Sequence, residues 1–149
     1  MRIALYQPDI AGNVGTILRT ATCLGVQVDI IEPCGFPFSD RRLKRAGMDY
    51  AAAAEVNRHA DWNAFSESQP GRIALLTVAG DTPLPEARFA PGDVLLAGSE
   101  SAGVPDHVHD AAALRIRIPV RAGFRSLNVA IATGIALGEA LRQTGEWPR

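Results

Sequence analysis

The sequence predicts an α/β fold: an open, mostly parallel sheet with helices on both faces, built as one domain over residues 1–149. Three observations predict it. Apolar runs of strand length alternate with helical patterns along the chain. Several of these runs are apolar nearly throughout, as parallel strands covered on both faces are. No linker, repeat or low-complexity tract interrupts the alternation, and the proline-rich stretch PLPEARFAPG (83–92) is too short to separate domains. A chain of 149 residues that is 47% apolar can bury one sizeable core.

The expected strands are Arg2–Tyr6, Gln27–Ile31, Ile73–Val78, Val94–Ala97 and Leu114–Ile118. The first meets Pro8 and Asp9 after one short apolar run, which reads as a strand and not as a leader. Helical patterns follow near 14–24, 40–47, 60–68, 104–110 and 127–143. In the first helix Asn13 suits the N-cap, Val14, Ile17, Leu18, Ala21 and Leu24 form the apolar stripe, and Gly25 suits the C-terminal stop. Gly15 and Arg19 are four residues apart and read as sharing a face away from that stripe. Two readings of Arg19 stand: a cation placed for an anion or reacting group, and an ordinary solvated side chain.

Ser39 and Asp40 read as the start of the second helix, which carries Arg41, Arg42, Lys44 and Arg45. These are either phosphate contacts or a solvated charged face. The last helix shows small residues every fourth position, at Ser126, Ala130, Gly134 and Gly138. Two mid-helix glycines cost about 1 kcal/mol each relative to alanine. Close packing of another backbone, within the chain or from a second chain, would account for that cost; plain packing on the sheet is the alternative.

Net charge is −1, so charge alone gives no reason to expect nucleic acid. Positive charge is nonetheless concentrated at 41–45 and again at Arg115, Arg117, Arg121 and Arg125. Cys23 and Cys34 match neither a metal spacing nor a redox pair, and three scattered histidines do not argue for zinc. No apolar run approaches the roughly 20 residues of a membrane helix. The expectation is a cytoplasmic chain with reduced thiols, no metal and no membrane partner.

Ligands of open parallel sheets bind outside the carboxyl ends of the strands. Three loops lie there: Thr77–Asp81, Gly98–Pro105 and Pro119–Ser126. Gly98 and Gly103 permit close backbone approach, Pro105 suits a helix's first turn, and Ser126 can cap the final helix. Such loops offer main-chain hydrogen bonds and few titratable groups, Glu100 being the carboxylate of the second. No GxGxxG follows the first strand, and neither GxxxxGK[ST] nor GxSxG occurs.

Taken together, Asn13-x-Gly15-x-x-x-Arg19, Gly98-x-Glu100-x-x-Gly103-x-Pro105 and Ile118-Pro119 with Ser126-Leu127-Asn128 resemble the three motifs of the SPOUT 2′-O-methyltransferases. They stand in that family's order and span the chain. Ile31-Glu-Pro-Cys-Gly-Phe36 and Arg42-Leu-Lys-Arg-Ala-Gly-Met-Asp-Tyr50 are similar to the short subgroup acting on the tRNA wobble nucleotide. The resemblance implies a C-terminal trefoil knot, which the general rarity of threaded chains would not suggest. It also implies a homodimer joined through the first and last helices.

On that resemblance, S-adenosylmethionine is held by Leu76, Thr77, Gly98, Ile118, Val120, Ser126 and Leu127, with S-adenosylhomocysteine as product. Arg19 stands beside the target ribose, while Asn13, Glu100, Ser126 and Asn128 arrange the catalytic site. Arg41, Arg42, Lys44, Arg45, Arg121 and Arg125 contact the RNA. The expected reaction is methyl transfer to the ribose 2′-hydroxyl of nucleotide 34, cytidine or modified uridine, in a tRNA anticodon loop, with no role for DNA. The alternatives are another tRNA or rRNA nucleotide, or a catalytically silent knotted RNA-binding module. Ser99, and Gly138-Glu139 near the end, depart from the family pattern and bear on substrate choice.

Overall fold

All five apolar runs form strands, and their order in space explains where the chemistry can lie. The computed structural model describes residues 1–38, 41, 50, 53–68 and 71–149. Its elements are β1 (Arg2–Tyr6), α1 (Ala11–Leu24), β2 (Gln27–Ile31), β3 (Val56–His59), α2 (Trp62–Ser68), β4 (Ile73–Leu76), β5 (Thr82–Pro83), β6 (Val94–Ala97), α3 (Asp106–Ala111), β7 (Leu114–Arg117) and α4 (Val129–Thr144), with a 3₁₀ turn at Leu84–Glu86. The strands pair in the order β3-β2-β1-β6-β4-β7-β5, and every ladder is parallel. Arg2 aligns with Gln27 on one side and Val94 on the other.

Alternating strand residues supply two cores. Ile3, Leu5, Val28, Ile30 and Leu95 meet Val14, Ile17 and Leu18 of α1 and Leu137 and Leu141 of α4. Ala4, Tyr6, Ile31, Leu75 and Leu96 meet Phe65 of α2 and Val108 of α3 on the opposite face. The arrangement is therefore helix, sheet, helix, as a parallel sheet with apolar strands on both faces requires.

Two strands were not expected, and both are edges. In β3, Val-Asn-Arg-His lacks an apolar signature because it pairs with β2 alone. In β5 only two residues pair, both with β7. Strand character there is imposed by the neighbouring strand, not by local composition.

Helix boundaries also moved. The first helix begins three residues before the expected start, so Asn13 lies inside its first turn and Ile10 occupies the N-cap without a side-chain bond. Gly25 does end the helix, at φ 67°, where a Cβ would be strained. Its N–H donates to the Thr22 carbonyl at 3.3 Å and that of Val26 to Ala21 at 2.9 Å. Asn128, not Ser126, caps α4, its Oδ1 accepting from the amides of Ala130 (2.9 Å) and Ile131 (3.3 Å). Pro105 precedes α3 at the N-cap position instead of entering its first turn. The expected 40–47 helix lies outside the described residues, apart from Arg41.

One buried charge sits in the sheet. Asp29 is fully buried on β2, and its Oδ1 accepts from Arg2 Nη2 at 2.7 Å and lies 2.8 Å from His59 Nε2. These contacts tie β1, β2 and β3 together.

Candidate active site

β6, β4 and β7 are adjacent, so the loops leaving their carboxyl ends converge. They enclose a cavity of about 530 Å³, within the range of small-molecule sites. Leu76, Thr77, Gly98, Ile118, Val120, Ser126 and Leu127 all line it, as do Glu100 and Arg125. Arg117 joins the lining, although the sequence had marked it only as part of a basic cluster.

Two glycines let the loop backbones approach. A Cβ on Gly98 would lie 2.7 Å from the carbonyl carbon of Gly103 and 2.8 Å from its Cα. That closeness is maintained by a reciprocal pair of bonds, Ser99 N–H to Gly103 O at 3.0 Å and Gly103 N–H to Ser99 O at 2.9 Å. Gly80 is the second case, and sequence reading missed it. Its Cβ would lie 2.7 Å from both the Arg117 nitrogen and the Ile116 carbonyl carbon. Only the spatial passage of Thr77–Asp81 over β7 reveals this need for glycine.

Beside the cavity, three side chains form a continuous relay, which backbone bonds join to Asp9. Asn128 Nδ2 donates to Asn13 Oδ1 at 2.9 Å, and Asn13 Nδ2 donates to Glu100 Oε1 at 3.1 Å. Glu100 Oε2 accepts from the Asp9 amide at 2.9 Å, while the Glu100 amide donates to Asp9 Oδ1 at 3.1 Å. The Ser101 hydroxyl donates to Asp9 Oδ2. Hydrogen bonding with the Glu100 side chain, then with Ser101, outweighs burial and lowers the Asp9 carboxyl to about 2. Asn13 is thus unavailable as a helix cap because its side chain bridges two other segments.

Asp9 and Gly35 were not singled out from sequence. A Cβ at Gly35 would fall 2.5 Å from the Asp9 Cβ, and the Gly35 amide donates to Pro8 O at 2.9 Å. The adjacent Pro-Asp and Cys-Gly pairs are the available signal, and each reads locally as an ordinary turn.

Arg19 stands apart from the relay. It is exposed, and its guanidinium lies 4.9 Å from the centroid of the Tyr50 ring, a cation–π distance. Gly15, expected on the same outward face, is buried. Among the expected RNA contacts, Arg41 and Arg121 are exposed, Arg125 lines the cavity, and Arg42, Lys44 and Arg45 lie outside the described residues. Burial, together with the charge of Glu32, pushes the Cys34 thiol up to about 11, leaving it a poor nucleophile. Among the described residues, no group of three or more His, Cys, Asp or Glu could hold a metal ion.

A parallel α/β sheet with a loop-built cavity over three neighbouring strands defines a class, and residues 1–138 match the SpoU rRNA Methylase family: the chain belongs to that family. A tRNA (cytidine(34)-2'-O)-methyltransferase of Beijerinckia indica is 51% identical over 146 residues, covering 96% of this chain and 91% of the relative. A solved structure giving insights into the 2-OH methylation of C/U34 on tRNA superposes with a TM-score of 0.90 at 42% identity, covering 95% of this chain and 94% of that one. An AdoMet-bound rRNA methyltransferase from Sinorhizobium meliloti superposes at 0.85 and 34% identity, over 95% of this chain and 55% of its own.

Proposed function

We propose that this chain transfers the methyl group of S-adenosylmethionine to the ribose 2′-hydroxyl of nucleotide 34, cytidine or modified uridine, in a tRNA anticodon loop. The observation that carries the reading is the cavity over β4, β6 and β7 with Glu100 on its wall, tied through Asn13 to the start of α4. The 51% identity to a tRNA (cytidine(34)-2'-O)-methyltransferase supports the substrate. The cavity also fits the cofactor: glycine at 98 keeps the wall open to backbone approach, and Leu76, Ile118, Val120 and Leu127 add apolar surface beside main-chain donors and acceptors.

Leu76, Thr77, Gly98, Ile118, Val120, Ser126 and Leu127 would hold S-adenosylmethionine, whose chemistry when bound is an electrophilic methyl on a sulfonium, leaving S-adenosylhomocysteine. The protein's part is alignment of the ribose oxygen with that methyl carbon, which needs no activated serine or cysteine. Glu100 and Asn13, fixed by the relay, orient the approaching nucleotide. Arg19 is a poor proton acceptor, since a guanidinium holds its proton to a pKa above about 12. Its role is to orient the ribose or a neighbouring phosphate that takes the proton. Arg41, Arg121 and Arg125, with Arg42, Lys44 and Arg45, would meet the RNA backbone.

The reading includes a trefoil knot. Only Thr77–Asp81 separates β4 from β5, yet β7 lies between them, so that short segment arches over the end of β7. The chain beyond β7 must leave past this arch, which supports threading.

A homodimer is also part of the reading. Ile131, Ile135 and Trp147 are exposed on and beside α4, and a Cβ on Gly134 would meet nothing within 4 Å. The stripe of small residues therefore does not receive a backbone from its own chain at Gly134, which supports a second copy there. Sedimentation should give twice the 15.9 kDa chain mass, and Ile135→Arg should halve it; a monomeric wild type would contradict the dimer. No described helix is long and apolar enough to cross a membrane, and we place the chain with its tRNA in the cytoplasm.

Calorimetry with S-adenosylmethionine, followed by transfer of labelled methyl to total small RNA, tests the activity. Binding and labelled RNA are expected. Failure of both, with RNA present, would identify a silent RNA-binding module instead.

A further inference from the structure

Asp9 lies between β1 and α1, in no regular element, and both carboxylate oxygens are directed to the cavity loop. Oδ1 accepts from the Glu100 amide at 3.1 Å and Oδ2 from the Ser101 hydroxyl, while the Asp9 amide donates back to Glu100 Oε2 at 2.9 Å. The two acidic residues thus clasp each other through their backbones, across 91 residues of sequence. With Oε2 engaged, Glu100 presents Oε1 to Asn13 Nδ2 at 3.1 Å. The amide of Asn13 then has one orientation, Oδ1 toward Asn128 Nδ2 at 2.9 Å. Asn128 in turn needs its Oδ1 for the amides of Ala130 and Ile131. A carboxylate at one end and helix amides at the other give the relay a fixed polarity.

The backbone of Asp9 is pinned from behind. Gly35 packs so closely that a Cβ there would lie 2.9 Å from Asp9 Cα.

We propose that Asp9 is a positioning residue for methyl transfer: by clasping the Glu100 loop it holds Glu100, and through it the Asn13–Asn128 relay, in place beside the cavity. This rests on the methyltransferase reading above. Alignment of reacting groups is where displacements on the order of 1 Å cost about 100-fold in rate, so the effect belongs to turnover and not to cofactor affinity.

The test compares wild type, Asp9→Ala and Asp9→Glu as full chains. Four quantities are read: S-adenosylmethionine affinity, kcat and KM for tRNA, urea stability, and the side-chain amide NMR resonances of Asn13 and Asn128. Asp9→Ala is expected to keep the dissociation constant within about 3-fold, to lose about 30–100-fold in kcat, and to shift both amide resonances. Asp9→Glu, which retains two acceptor oxygens, is expected to restore most of that kcat. The proposal is overturned if Asp9→Ala leaves kcat and the amide resonances as in wild type. It is equally overturned if kcat, cofactor affinity and stability fall together by the same factor, the mark of a merely structural brace. Should wild type transfer no methyl to tRNA, the functional reading fails separately, and unmoved amide resonances in Asp9→Ala would still overturn the relay.

Discussion

Gly98→Ala should weaken S-adenosylmethionine binding by at least about 100-fold, a loss of about 2.7 kcal/mol. The added Cβ would meet the Gly103 carbonyl carbon at 2.7 Å, its Cα at 2.8 Å and its oxygen at 2.9 Å. All three atoms are backbone, so no rotamer change relieves the overlap. The loop must open, breaking the Ser99–Gly103 bond pair and shifting the wall that carries Glu100. Overpacking of this kind typically costs about 1–3 kcal/mol of stability, so the variant should still fold. Titration calorimetry on the folded variant reads the affinity. A dissociation constant within about 3-fold of wild type would mean that this loop does not hold the cofactor.

Arg19→Lys should lower methyl transfer by about 100- to 1,000-fold while leaving cofactor affinity unchanged, the size expected when one preorganised donor is lost. Charge is conserved in this substitution and geometry is not. The Arg19 guanidinium lies over the Tyr50 ring, 4.9 Å from its centroid, a cation–π contact. A lysine ammonium is a point charge on a flexible stem and cannot present a fork to a ribose or phosphate. Single-turnover kinetics at saturating S-adenosylmethionine separates the chemical step from binding. Turnover close to wild type would remove any role requiring guanidinium shape.

The central strands were legible because strands covered on both faces are mostly apolar: VLLA is so throughout, and RIALY and QVDII are so apart from Arg2, Gln27 and Asp29. The edges were not: Val56–His59 faces a neighbour on one side only, and its strand state comes from pairing with Val28–Ile31. The same contrast runs through the site. Gly98 and Gly103 stand five residues apart in one loop, so their close approach could be read locally. Gly80 meets β7 and Gly35 meets Asp9, contacts that no local pattern encodes.

Asn13 illustrates how a correct selection can carry the wrong local role. Its type and place suit an N-cap, but its side chain bridges Glu100 and Asn128, and the helix starts at Ala11 without it. Ser126 was likewise expected to cap the last helix, whereas Asn128, two residues on, does so and joins the relay at the same time. At Asn13 the tertiary partners take the side chain, whereas Asn128 caps with its oxygen and bonds Asn13 with its nitrogen. Asp9 escaped notice for the converse reason: its Pro-Asp context is locally that of a turn, while its partners lie 91 and 92 residues away.

The most direct test of the account is to incubate the protein with S-adenosylmethionine and unmodified tRNA, then map the methylated nucleoside by digestion and mass spectrometry. The account predicts one 2′-O-methyl group on the ribose of nucleotide 34. Methyl on a base, or on the ribose of another nucleotide with position 34 untouched, would contradict it.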